Sequence, residues 1–257
     1  MECKNCHRTL DPDTNYCLHC GAKVILNRLS LKNIWEDIYE QYLNLDNRLI
    51  ITMVHLFTKP EEVLIGYLTG LRKRYLNPIS YLGLALTLIG IYIFVIKKKF
   101  LGKLDFNLMD SGNTEGAQKI FQNILDYQSF TFVLLIPIIA GLAWIFYRRP
   151  RYNFTEHLVC ITYLLAQFYI VTFPLSLLLL FIDSAHFTLH SYGKLALILF
   201  YTIYAYRRIT EYRIGKFLLR SFLFMSSYLI GYFIFTILII LALLLTGLVS
   251  PDDISPK

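Results

Sequence analysis

Residues 158–182 read LVCITYLLAQFYIVTFPLSLLLLFI and contain no acidic, basic or histidine side chain. An α-helix rises about 1.5 Å per residue, so a run of this length can cross the roughly 30 Å hydrocarbon core of a bilayer. Pro174 lies inside the run and is expected to bend the helix. The stretch predicts a membrane-spanning helix and, with it, an integral membrane protein.

Other apolar runs surround this one. They are Ile79–Ile96, Ser129–Tyr147, a shorter run around Leu195–Tyr206, and Phe222–Val249. The shorter run has Lys194 at its edge and reaches span length only if its helix starts near Phe187. We therefore predict an all-α membrane domain over residues 79–249 with about five transmembrane helices, followed by a tail at residues 250–257.

The composition agrees with a membrane protein. Of the 257 residues, 56% are hydrophobic and 17% are charged, against about 25% charged residues in soluble domains. Too few polar side chains remain to cover a soluble globule of this size, so part of the surface has to face lipid. These values exclude a disordered chain, a collagen-like chain and a typical soluble enzyme.

The most specific motif is a pair of Cys-x-x-Cys sequences ten residues apart near the N-terminus. This spacing is typical of the two knuckles of a zinc ribbon, in which four thiolates hold one tetrahedral ion. A structural Zn²⁺ is expected, because four thiolates leave no open position for catalysis. The alternative is a pair of disulfides. The predicted ligands, in a ribbon over residues 1–26, are Cys3, Cys6, Cys17 and Cys20, and His7 and His19 are expected to face solvent.

The charge of the ribbon argues against nucleic acid as a partner. Its acidic side chains balance its basic ones, and four thiolates with Zn²⁺ add two negative charges. A negatively charged ribbon repels a phosphate backbone. We therefore expect the ribbon to contact protein, either a partner or its own membrane domain.

The basic residues between the spans predict the orientation of the chain. Three clusters fall on one side of a five-span topology: Arg72–Arg74, Arg148–Arg151 and Arg207–Arg220. This side carries more basic residues than the other, where Lys97–Lys99 is the main exception, so the positive-inside rule places the N-terminus in the cytosol. We expect no signal peptide, because the N-terminus is polar and Cys-rich. The prediction is a multi-pass protein of the cytoplasmic (inner) membrane, in contact with the lipid bilayer.

Residues 27–78 form the predicted linker between the ribbon and the membrane domain. Apolar residues recur at helical spacing from Ile34 to Leu43, and Thr58–Lys59–Pro60 breaks a later helical stretch. A further amphipathic helix is expected to start at Pro60. These interfacial amphipathic helices either lie on the inner leaflet or pack on the protein's own bundle.

Three motifs together resemble those of a known family. They are the head ending in Cys20-Gly21, the run Thr52…Pro60…Gly66-Tyr67…Gly70-x-Arg72-x-x-Tyr75-x-x-Pro78, and Tyr152-x-x-x-Glu156-His157-Leu158-Val159. The family is a group of bacterial membrane proteins with a zinc-ribbon head, catalogued as a domain of unknown function. The resemblance covers nearly the whole chain, although Lys59-Pro60-Glu61 stands where a basic-Pro-Gly triplet is expected. It implies a polytopic membrane protein and brings no activity.

Glu156 and His157 are candidate functional residues at the inner mouth of the third span. Asn153-x-x-Glu156 has the spacing of a capping box, and Tyr152 and His157 then occupy the staple positions. The pair therefore either starts the helix or contacts a headgroup, a partner loop or a solute. The other candidates are Arg72 before the first span and Gln167 inside the third, and no residue is assigned a catalytic role.

Two features lie on the opposite side of the membrane. Asp183, His186 and His190 could bind a transition metal if a helix places both histidines on one face. The loop 97–128 carries an apolar stripe from Ala117 to Leu125. This stripe predicts a short separate helix on the outer interface, over the bundle or against a partner.

Three functions remain open from these patterns. The leading hypothesis is a non-enzymatic scaffold or adaptor, with a protein partner or a second copy of the chain as its target. The alternative is a permease or pore for a small or lipidic solute. The third is an enzyme acting on a lipid, although no HExxH, GxSxG, Walker A or GxGxxG motif occurs. The permease hypothesis predicts a groove lined by Tyr163, Gln167, Thr172 and Ser176.

Overall fold

The computed structural model describes residues 2–3, 5–10, 14, 16–21, 48–101, 114–147 and 152–250. The chain divides into two compact units, Met1–Asp46 and Asn47–Lys257. The predicted amphipathic helix around Ile34–Leu43, the Arg148–Arg151 cluster and residues 251–257 of the tail lie outside the described residues. The described helices all belong to the second unit.

The second unit starts with two short helices, α1 (Arg48–Thr58) and α2 (Pro60–Thr69). The predicted break at Lys59 is confirmed, because Pro60 occupies the first turn of α2, where its missing N–H is not needed. Gly70 ends α2 in the left-handed conformation, with a φ of +114°. The chain therefore turns twice before it reaches the first long helix.

Four helices in the described part of the chain are long and apolar enough to cross a membrane. They are α3 (Pro78–Val95), which continues through a π-helical turn at Ile96–Phe100, α4 (Thr114–Phe146), α5 (Phe154–Ile182) and α7 (Ile214–Leu245). The regular elements described in this unit are all helical. The predicted all-α membrane fold is therefore confirmed.

The remaining predicted span corresponds to α6 (Phe187–Ile209), a helix of 23 residues. It starts at Phe187, where the sequence analysis required it to start for full span length. By composition, however, α6 is not apolar enough to count as one of the candidate membrane spans. The reason is its polar side chains, among them the basic residues and histidine, which are His190, Lys194, Arg207 and Arg208.

Helix α4 merges two segments that the sequence analysis separated. The stripe from Ala117 to Leu125 and the span from Ser129 form one continuous helix of 33 residues, with Pro137 inside it. The prediction of a separate interfacial helix is therefore wrong. The physical reason is that no glycine or proline stands between the two segments to stop the helix.

Helix α5 lies at the centre of the bundle and α7 at its edge. α5 contacts α2, α3, α4 and α6, whereas α7 packs mainly against α4. In the most apolar window of each helix, 39% of α5 but only 6% of α7 is buried inside the protein. Among the candidate spans, α7 therefore leaves the largest share of its surface for lipid.

The two short helices pack into this bundle. Leu56 of α1 and Val63 and Leu64 of α2 are fully buried, in the same hydrophobic core as Tyr163 and Leu164 of α5. Of the two arrangements left open for the linker, packing on the protein's own bundle is therefore found for residues 48–69.

Candidate functional site

Four cysteine side chains lie together in the N-terminal unit. Its described residues, which are 2–3, 5–10, 14 and 16–21, we call the cysteine head. The sulfurs of Cys3, Cys6, Cys17 and Cys20 all lie within 4.8 Å of one another. The Cys3–Cys20 and Cys6–Cys17 sulfur pairs are each 3.6 Å apart. Sulfurs bound at about 2.3 Å to a tetrahedral ion are about 3.8 Å apart, whereas a disulfide needs about 2.05 Å. No disulfide joins these four cysteines, and the cluster can hold one metal ion.

Both Cys-x-x-Cys turns share one backbone arrangement. The His7 N–H donates to the Cys3 carbonyl, and the Gly21 N–H donates to the Cys17 carbonyl, each at 2.8 Å. The donor residue is left-handed in both turns, with φ of +58° at His7 and +71° at Gly21. Glycine adopts this conformation freely and other residues rarely do. His7 thus takes the position of Gly21 in the first turn, which the sequence pattern did not reveal.

The first cysteine of each pair is buried, and the second turn exposes apolar side chains. Cys3 and Cys17 are 4% and 3% exposed. Tyr16 and Leu18, on either side of Cys17, are 57% and 88% exposed. His7 and His19 are exposed as well, as expected. The head therefore shows an aromatic and an aliphatic side chain directly beside the sulfur cluster.

Glu156 starts α5 through the capping box that the sequence analysis offered as one alternative. The Asn153 N–H donates to Glu156 Oε2 at 2.6 Å, and the Glu156 N–H donates to Asn153 Oδ1 at 2.9 Å. The Tyr152 ring meets the His157 ring edge-on, with centroids 6.4 Å apart, which is the staple contact. The helix-start role is confirmed, and a further functional role for the pair stays a prediction.

His157 also belongs to a buried polar stack. It is 3% exposed, and its Nδ1 lies 2.9 Å from the hydroxyl of Tyr206, on which its ring stacks. Its Nε2 has no hydrogen-bond partner within the described part of the chain. His157, Glu156 and Cys160 line a cavity of about 10 Å³, which has room for about one water molecule. A cavity of this size does not admit a headgroup or an organic solute.

Gln167 joins three helices inside the membrane domain. It is fully buried, its Nε2 donates to the Met53 carbonyl of α1 at 2.9 Å, and its Oε1 accepts from the Tyr81 hydroxyl of α3. Gln167 is the fourteenth residue of α5, so it lies about 20 Å from the start of that helix. One face of helix α1 therefore packs against the bundle at this depth.

Three tyrosines of α5 and α6 bind main-chain carbonyls of α1 and of the loop before α3. The bonds run from Tyr163 to Leu76 at 2.5 Å, from Tyr201 to Leu56 at 3.0 Å and from Tyr204 to Phe57 at 3.1 Å. Carbonyls at the end of a helix have no partner in that helix, and a buried one needs another donor. Tyr201 and Tyr204 were not predicted from the sequence, although tyrosines inside apolar runs were an available signal.

The residues of the predicted groove do not line one cavity. Tyr163 and Gln167 are fully buried and engaged in the bonds just described. The hydroxyls of Thr172 and Ser176 donate to carbonyls of their own helix at 2.7 Å each. These polar groups therefore bond within and between helices instead of facing an open path.

Arg72 is exposed in the loop after α2, with its guanidinium 5.6 Å from the centre of the Tyr67 ring. A closer charge contact, missed by the sequence analysis, joins Arg208 at the end of α6 to Glu61 at the start of α2. It has two bonds, Nη2–Oε1 at 2.7 Å and Nε–Oε2 at 3.1 Å. Residues so far apart in sequence leave no periodic pattern, so this pair had no signal in the sequence.

Asp183, His186 and His190 come together at the other end of α5. His186 Nδ1 lies 2.8 Å from Asp183 Oδ1, and His190 Nε2 lies 3.3 Å from Asp183 Oδ2. The hydrogen bond from His186 holds the pKa of the Asp183 carboxyl below its usual range. Among the described residues, only the four cysteines place three or more metal-ligating atoms all within 4.8 Å. The three side chains therefore lie in contact, but their ligating atoms do not form a compact metal-binding cluster.

These features define a multi-pass helical membrane protein with a four-cysteine N-terminal unit that can hold a metal ion. A family model described as "Protein of unknown function (DUF3667)" matches residues 46–90, which confirms the resemblance to a family of unknown function. The match covers α1, α2 and most of α3. Gln167, Tyr163, Tyr201 and Tyr204 bind main-chain carbonyls of this segment. No curated protein and no solved structure matches the chain.

Proposed function

We propose that this chain is a non-enzymatic membrane scaffold or adaptor whose cysteine head binds one structural Zn²⁺ and contacts a protein partner. The observation that carries the proposal is the four-sulfur cluster with exposed apolar side chains beside it. The further expectation is that the head lies in the cytosol and the helices in the inner membrane.

Zinc is the metal that best suits this donor set. A tetrahedral set of four thiolates suits zinc or iron, and a closed set without an open position is typical of structural zinc. A four-thiolate zinc site needs reduced cysteines, so a cytosolic, reducing location is expected for the head. The metal would hold the two turns together and would take no part in chemistry.

The interior of the membrane domain favours a scaffold over a permease or an enzyme. Its central polar side chain, Gln167, is bonded to both α1 and α3. Two small cavities, one lined by Glu156 and the other by Asp183, each have a volume of about 10 Å³. A permease needs a path for its solute, and an enzyme needs a pocket for its substrate. Two cavities as small as these, among the described residues, suit a protein that acts through its surface.

The second turn of the head offers a contact surface for protein. Tyr16 and Leu18 flank a metal-bound cysteine in this proposal, so a rigid turn would hold both side chains in place. Tyrosine is among the residues that dominate protein interfaces, and an aliphatic side chain fixed on a rigid element can serve as a second anchor. Leu18 is the more exposed of the two, at 88%, and is the first residue to test.

The test is in-membrane cross-linking followed by affinity purification and quantitative mass spectrometry. Wild type is compared with C3S/C6S, with Leu18→Glu and with C160S, which changes a cysteine of α5 outside the head. We expect one set of partner proteins to fall about tenfold or more with C3S/C6S and with Leu18→Glu, and to persist with C160S. All variants should resist alkaline extraction from the membrane. Unchanged partner recovery with both head variants would overturn the proposal.

A further inference from the structure

Three basic side chains lie on one face of α7 at the start of the helix. Arg213, Lys216 and Arg220 follow one another at intervals of three and four residues, which places them on the same side of a helix. Arg213 and Lys216 are exposed, and Arg220 is half-buried. Among the described residues, no carboxylate forms an ion pair with any of the three. Their positive charges are therefore available to a ligand.

Contacts with α4 and α6 fix this end of α7. Nη1 of Arg220 donates to the Phe146 carbonyl at the end of α4 at 2.9 Å and to the Tyr212 hydroxyl at 3.0 Å. From α6, Arg207 donates to the Tyr212 carbonyl at 2.8 Å, and its guanidinium lies 5.3 Å from the centre of the Phe217 ring. A further positive charge is thus held against the first turn of α7.

The charge balance of this corner favours an anionic ligand. Residues 207–220 include five basic side chains and one acidic side chain, Glu211. Of the five, Arg208 is already paired with Glu61 on α2. The other four still outnumber the acidic residue of the segment. An anionic group is therefore the charge complement of this surface.

The basic face of α7 continues as an apolar face toward the middle of the helix. Leu223, Ile230 and Ile234 follow Arg220 at intervals of three, seven and four residues, and they are 42%, 61% and 51% exposed. From Leu223 to Ile234 the helix rises about 16 Å, which is about half of the roughly 30 Å hydrocarbon core. The apolar part of the face therefore has the depth of one leaflet.

We infer that this face of α7 binds an anionic phospholipid, with its phosphate against the three basic side chains and an acyl chain along the three apolar ones. A soluble anion has no hydrocarbon to cover the apolar part, and a zwitterionic lipid brings a positive charge of its own toward the basic part. The inference does not rest on the cysteine head or on the proposed adaptor function, because none of these residues belongs to the head. A failure of one therefore leaves the other standing.

The test is native mass spectrometry of the purified full chain in detergent, titrated with phosphatidylglycerol or with phosphatidylcholine. We expect phosphatidylglycerol to bind about tenfold more tightly than phosphatidylcholine. R213Q/K216Q should lower the affinity for phosphatidylglycerol about tenfold, whereas the charge-retaining R213K/K216R should stay within about threefold of wild type. Arg220 is left unchanged, because its bond to the Phe146 carbonyl joins α7 to α4.

The matched control is K98Q/K99Q, which removes two exposed lysines from the π-helical turn that follows α3. It changes the net charge of the chain by the same amount as R213Q/K216Q and should bind phosphatidylglycerol as wild type does. If R213Q/K216Q unfolds before K98Q/K99Q without added lipid, the single variants Arg213→Gln and Lys216→Gln replace it. Each should lower the affinity about threefold.

Four outcomes would overturn the inference. The first is equal affinity of wild type for the two lipids, and the second is an affinity for phosphatidylglycerol that R213Q/K216Q, or both of the single variants that replace it, leave unchanged. The third is an equal loss in K98Q/K99Q, which would indicate an effect of net charge alone. The fourth is full competition by soluble glycerol phosphate at the same concentration as the lipid, which would indicate a site for a free phosphate compound.

Discussion

The cysteine head and the membrane domain are stabilised in different ways. In its described residues, the head has two short turns and an isolated bridge between Glu2 and Thr9, and a segment of this size cannot bury a core of its own. The membrane domain buries a continuous core around α5 and bonds its buried polar groups, such as Gln167, to one another. The head should therefore depend on its ligand, and the membrane domain on its side chains.

The largest expected effect is the loss of the head's fold when its metal is removed. Metal binding supplies about 10–16 kcal/mol in zinc-finger peptides, more than a small metal-free head can replace. After chelation, limited proteolysis should cut the head rapidly, while the helical circular dichroism of the membrane domain stays unchanged. C160S should respond to the chelator as wild type does. A head that resists the protease without metal would contradict this account.

A smaller effect is expected inside the membrane domain when Gln167 is changed to Leu. The change leaves the Met53 carbonyl and the Tyr81 hydroxyl without their partner, at a cost of about 1–3 kcal/mol for each buried group. Thermal unfolding in detergent should show the lower stability, and the metal content of the head should not change. The control is Gln122→Leu at an exposed position of α4. Equal melting of the two variants would mean that the buried bonds add no stability.

The smallest effect is a pH dependence at the turn between α5 and α6. The His186 hydrogen bond holds the pKa of Asp183 below its usual range in the folded protein. The contact therefore stabilises the fold above the unfolded pKa of about 3.9 and is lost as the pH falls through the folded pKa. Unfolding midpoints measured between pH 6 and pH 3 should fall more for wild type than for Asp183→Asn. Parallel curves for the two proteins would rule this contact out as a source of stability.

The parts of the fold that could be predicted depend on short-range patterns. The apolar run of α5 predicted its span, and Asn153-x-x-Glu156 predicted its first turn, because both signals lie within one helix. The cysteine spacing predicted which four sulfurs lie together, since two turns of this kind bring their thiolates to one point. Each of these features is decided by neighbours in sequence.

The parts that could not be predicted depend on contacts between distant residues. Helix α1 is held against the bundle by bonds from Gln167 and Tyr201 to its carbonyls, and neither bond has a counterpart in local spacing. The Glu61–Arg208 pair is of the same kind. The continuous helix α4 was not predicted for a different reason. Its pattern changes from amphipathic to fully apolar, which resembles a boundary although nothing there stops a helix.

The most direct test of the central claim is the metal content of the purified full chain, measured by inductively coupled plasma mass spectrometry beside the protein concentration. The account predicts one zinc per chain in wild type and in C160S, and a loss of that zinc in C3S/C6S. A wild-type protein without stoichiometric zinc, or a C3S/C6S protein that keeps it, would contradict the account.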